Sequence, residues 1–95
     1  MPEDKRVSDS ILRANQARVD FIRSDLDAAL TFAQIARESR DAEKTTRNTR
    51  NARLGYDTVV RFLHRTTLSM DEQVYVDEKL DQLRLALVAL GESVG

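Results

Sequence analysis

The chain has 95 residues, of which 41% are hydrophobic, 33% charged and 5% aromatic, with a formal net charge of −1, one histidine and no cysteine. This length fits one domain over residues 1–95, and a composition rich in aliphatics and poor in proline fits packed helices better than disorder. The lack of cysteine excludes disulfides, thiolate zinc sites and thiol nucleophiles. Met1 to Asp9 is charged and lacks the apolar core of a secretory leader, and no run approaches about 18 apolar residues. A cytoplasmic protein without a membrane span is expected.

The first predicted helix covers about 8–39, with residues 1–7 frayed ahead of it and Ser8, Asp9 and Ser10 all suited to its N-cap. Leu12, Val19, Leu26 and Ala33 make one heptad row, Ile22, Ala29 and Ala36 a second, and Ala14, Phe21, Ala28 and Ile35 a third. With Ile11 and Phe32 these rows fill an apolar arc of about 160°, interrupted by Arg18 and Asp25. A two-strand seam is narrower; an arc of this width serves two partner helices.

Neither glycine nor proline lies between Gln34 and Leu54, so the end of this helix is read from the phase of its pattern. Continued past Ser39, the helix would bury Arg40 and Arg47, whereas the next apolar set (Ala42, Thr49, Tyr56 and Leu63 with Ala52 and Val59) is centred roughly 100° away. A turn at Ser39–Asp41 repairs the phase, and Ser39 or Asp41 can cap a second helix over about 42–66. Packed antiparallel, this helix sets Thr45, Thr49 and Ala52 against Ala29, Ala33 and Ala36. Its bulkier Tyr56, Val59, Val60 and Leu63 then meet Val19, Ile22 and Leu26. Gly55 is expected to permit a close contact on another side.

Ser69-Met70-Asp71-Glu72 has the spacing of a capping box and opens a third helix over about 70–90. Val76, Leu80, Leu83, Leu87 and Leu90 form its stripe, Gly91 terminates it, and residues 92–95 are expected to be loose. Leu83, Leu87 and Leu90 are expected near Leu30, Phe32 and Ile35. The fold expected is all-α, an antiparallel three-helix bundle with a long first helix. Ala52 and Tyr56 have the small-then-aromatic spacing of a tetratricopeptide helix pair, but no second copy follows at the required period.

Catalytic chemistry finds little footing. His64 lies in Phe62 to Leu68, a stretch that resembles the phosphoacceptor box of sensor histidine kinases, where a helical His precedes an Arg-Thr-Pro-Leu run. The acid and spacer after the His are missing, Thr67 stands where the proline belongs, and the chain has no Gly-rich nucleotide-binding segment. Asp71, Glu72, Asp77, Glu78 and Asp81 do not fit a calcium loop, and no Glu-x-x-His pair exists to build a bundle metal site. No catalytic residue, metal ligand or cofactor is assigned, and a non-enzyme is expected.

Charge is unevenly spread: residues 37–65 carry a net +4 and residues 66–95 a net −4. Arg40, Lys44, Arg47, Arg50, Arg61 and Arg65 fall within about 120° on the second helix, a candidate polyanion-binding row with Asn48, Asn51 and threonines beside it. The overall charge and the few aromatics speak against nucleic acid as the main partner. Met70, Val74, Leu85 and Val88 lie roughly 80–180° from the main stripe of the third helix, and Leu54 and Phe62 lie outside the apolar face of the second. These six are the candidate self-association residues. The expected function is a helical protein–protein interaction or assembly module that forms a homodimer, with polyanion binding as the alternative.

Overall fold

In a computed structural model, which describes the backbone of residues 2–94 and the side chains of residues 7–94, the chain forms three helices. These are α1 (Pro2–Glu38), α2 (Ala42–Leu63) and α3 (Met70–Ala89). The expected fraying of residues 1–7 concerns side chains that, Val7 apart, lie outside the described residues. The helix passes through Ser8, Asp9 and Ser10 without a cap.

The α1–α2 break falls where the pattern shifts phase. Asp41 is the N-cap, in extended conformation, and its carboxylate accepts from the backbone N–H groups of Glu43 (2.9 Å) and Lys44 (3.3 Å). The Ser39 hydroxyl accepts from the Asp41 N–H at 3.1 Å, so the two capping candidates act in series. α2 ends at Leu63 instead of 66, because Arg65 and Thr66 bond to the carbonyls of Phe62 and Leu63, three residues back, and tighten the last turn. The capping box of α3 is complete: Glu72 N–H donates to the Ser69 hydroxyl and Ser69 N–H to the Glu72 carboxylate. Gly91, at φ +91°, ends it in a Schellman motif, with Glu92 N–H bonded to Leu87 O and Gly91 N–H to Val88 O.

α1 and α2 run antiparallel, and α3 returns parallel to α1. The core joins Val19, Ile22, Leu26, Ala29, Ala33 and Ala36 of α1 to Ala52 and Val59 of α2 and Val76, Leu83 and Leu87 of α3, all essentially inaccessible. Small residues face each other at the Ser39–Asp41 end, where the Thr45 hydroxyl reaches Ala36 O. Gly55 sits in this same seam and not on another side: it is buried, and a Cβ there would lie 2.7 Å from that of Ala29. Phe32 does not turn toward α3; it lines a groove between α1 and α2 with Leu54 and Asn51. Tyr56 borders Leu80 and Arg84 of α3.

The helices are unequal. α1 is about 56 Å long against about 33 Å for α2 and about 30 Å for α3, within overall extents of 60 × 22 × 18 Å. Asn15 fixes the stagger. Its side-chain amide donates to Thr67 O (2.8 Å) and accepts from Thr67 N–H (2.7 Å), clamping the α2–α3 turn from both sides. The part of α1 ahead of Asn15 therefore projects past the bundle, and Val7, Ile11 and Leu12 on it stay exposed. The opposite end is tied down: the Arg53 guanidinium bonds Ser93 O at 2.8 Å and Glu92 at 3.4 Å, and Val94 packs on the core, so residues 92–94 are held where looseness was expected.

Candidate functional site

Three surfaces carry the residues that the sequence singles out. On the first, Arg40, Lys44, Arg47, Arg50, Arg61 and Arg65 are all exposed, and none takes part in an ion pair among the described residues. The row divides into two groups, since Arg50 and Arg61 stand about 16 Å apart along the helix. Arg47 and Arg50 flank a shallow depression with Thr46, whereas the Arg65 guanidinium lies 5.7 Å from the Phe62 ring centre. Asn48 leaves this set: it is buried, with its amide donating to Lys44 O at 2.9 Å, and so is out of reach of a phosphate on the surface. Arg53 is basic but engaged with Asp57, Glu92 and Ser93.

The second surface is the outer side of α3. Met70 is 85% exposed, and Val74, Leu85 and Val88 are about half exposed on the face turned away from the core. The two acids that interrupt this stripe find partners on α3 itself. Asp81 pairs with Arg84 at 2.9 Å, and Asp77 accepts from the Gln73 amide at 2.8 Å. Among the described residues of the chain, neither acid pairs with the basic residues of 37–65.

The third surface is the α1–α2 groove on the side away from α3, lined by Phe21, Asp25, Phe32, Asn51, Leu54 and Thr58. Leu54 is 60% and Phe21 43% exposed. Phe62 is half-buried, with its ring centre 4.8 Å from that of Phe21 in a tilted pair, so it supports this groove rather than standing free. The six candidate self-association residues thus divide between the groove (Leu54, Phe62) and the outer face of α3 (Met70, Val74, Leu85, Val88).

Polar groups missed in the sequence reading stand out here. Two buried side-chain polar atoms among the described residues have no hydrogen-bond partner: Arg18 Nε and Asp25 Oδ2. Both belong to the residues that interrupt the apolar arc of α1. Burial raises the pKa of Asp25 above the usual carboxylate value. The signal was present in the sequence as two opposite charges, one heptad apart, inside an apolar row; their environment was not.

His64 is exposed at the end of α2, and no cluster of three potential metal ligands occurs among the described residues. No helix of the described residues is long and apolar enough to cross a membrane. Compared with family models, curated proteins and solved structures, the chain gives no match.

Proposed function

We propose that this protein is a non-catalytic helical interaction or assembly module that associates with itself. The observation that supports this reading is the amount of large apolar surface left outside the core. Val7, Ile11, Leu12, Phe21 and Leu54 border α1 and its groove with α2, and Met70, Val74, Leu85 and Val88 line the outside of α3. Single exposed aliphatics are ordinary on a surface; aligned sets on helix faces are what a second chain covers. Each such side chain, once fully buried, contributes about 1.5–3 kcal/mol before association costs, enough for micromolar self-association. A symmetric dimer is the simplest closed assembly of this kind. Light scattering tests the reading: the mass should rise with concentration from 10.8 kDa toward twice that value.

A second reading, polyanion binding, is favoured by one observation: the six exposed basic side chains of the α2 row are free of ion pairs among the described residues. Such a row can follow phosphates, and its binding would fall steeply with salt.

A further inference from the structure

We infer that the self-association runs through α1, as an antiparallel two-fold pair in which Arg18 of each copy bonds Asp25 of the other. The inference rests on the self-associating reading above, places its contact on α1 and leaves Met70, Val74, Leu85 and Val88 of α3 outside that contact.

Ile11, Ala14, Arg18, Phe21 and Asp25 lie on one stripe of α1, at the alternating three- and four-residue spacing of a helix seam, and Phe32 continues it one heptad on. The stripe lies beside the core seam, along the edge of the α1–α2 groove; Ile11, Ala14 and Phe21 on it are exposed, and Arg18, Asp25 and Phe32 are partly buried. Its two charged members hold the two unpartnered buried polar atoms, Arg18 Nε and Asp25 Oδ2. They cannot satisfy each other within one helix, since two turns, about 10.5 Å of rise, separate them. Both groups are only partly buried, so each keeps accessible atoms that an opposite charge from outside the chain can meet.

Symmetry supplies the partner. A two-fold axis crossing α1 near Phe21 and Ile22 reverses the helix and carries position 18 onto position 25. Arg18 of one copy then stands level with Asp25 of the other, twice over, and the accessible part of each charged group meets an opposite charge. A parallel pair would set Arg18 against Arg18 and Asp25 against Asp25, so the same two residues also specify the orientation. Between the two ion pairs, Phe21, 43% exposed and backed by Phe62, would lie at the axis. The same axis carries position 11 onto position 32. Ile11, 61% exposed on the projecting end of α1, would thereby reach Phe32 of the second copy and the Leu54 edge of its groove. The overhang that has no core of its own is the part that crosses to the second copy.

Charge reversal in trans tests this. Sedimentation equilibrium is run on the wild type, on Arg18→Asp and Asp25→Arg alone, and on an equimolar mixture of the two variants, with helicity followed by circular dichroism. Each variant alone places like charges opposite each other and should weaken self-association at least about tenfold. The mixture restores two Asp–Arg pairs and should form a heterodimer of about wild-type affinity, which no repair within one chain can produce. Single variants that dimerise as well as the wild type, or a mixture that stays at 10.8 kDa, would overturn the inference while leaving self-association standing. A wild type that stays at 10.8 kDa at millimolar concentration would overturn both. Should either charge variant lose helicity, Phe21→Glu, at an exposed position, decides: it should stay folded and monomeric, and a folded dimer would refute the interface.

Discussion

Gly55 of α2 and Ala29 of α1 touch so closely that a Cβ on the glycine would stand 2.7 Å from the alanine Cβ. A Gly-to-Ala change inside a helix ordinarily stabilises it by about 1 kcal/mol. Here overpacking opposes that gain, at about 1–3 kcal/mol, because the clash is with a rigid Cβ. Gly55→Ala should therefore lower the melting temperature despite its better helix propensity. Combined with Ala29→Gly, which moves the methyl group across the seam, it should recover part of the loss. A double-mutant cycle in thermal melts measures this; strict additivity would show that the two residues are not in contact.

The start of α2 depends on one side chain. Asp41→Ala removes the acceptor for the Glu43 and Lys44 N–H groups and should cost about 0.5–2 kcal/mol in urea unfolding. A short Gly-Ser insertion between Ser39 and Asp41 should cost little, since loop lengthening adds entropy only slowly. A large loss on insertion would mean that α1 and α2 act as one rod.

Asp25 carries a prediction about pH. Its folded pKa is raised by desolvation, so the ionised form is the one that the monomer disfavours. The unfolded chain holds the lower pKa, and the destabilisation is therefore absent below that value and complete once pH rises through the folded one. At concentrations low enough to keep the protein monomeric, Asp25→Asn should raise the melting temperature at neutral pH and have little effect in acid. In the associated protein the same change should weaken the dimer, because Arg18 loses its counterion. An identical effect at both pH values would show that ionisation of Asp25 is not the cause.

The basic row of α2 should be dispensable for folding. Arg47→Glu with Arg50→Glu should change stability by no more than about 1 kcal/mol, since both side chains are exposed and neither is ion-paired. If the row serves polyanions, the wild type should bind mixed DNA or RNA at about 50 mM salt and the double variant should not. Absence of binding by the wild type under these conditions removes the second reading.

Much of the fold was legible in the sequence. The phase shift between Ala36 and Ala42 located the break, Ser69 and Glu72 announced their capping box, and Gly91 marked the end of α3. These signals are local: each depends on a spacing or on a backbone preference that one helix or turn settles alone. The relative lengths of the helices were not legible. With the first helix started at Ser8 rather than Pro2, Ile11 and Leu12 counted as core, whereas Asn15 holds the α2–α3 turn below them and leaves them outside. Which side of α1 meets which helix was also hidden, because a wide apolar arc does not order its partners. Phe32 was accordingly placed toward α3 when it lines the groove with Leu54. Asn48 looked like a free donor because its place among polar neighbours does not show that it is buried and bonded to Lys44 O.

Sedimentation equilibrium of the wild-type protein over a wide concentration range, beside Phe21→Glu and Leu85→Glu, tests the central claim most directly. The wild type should approach twice 10.8 kDa, Leu85→Glu should do the same, and Phe21→Glu should keep its helicity but remain monomeric. A wild type that holds at 10.8 kDa up to millimolar concentration would contradict it.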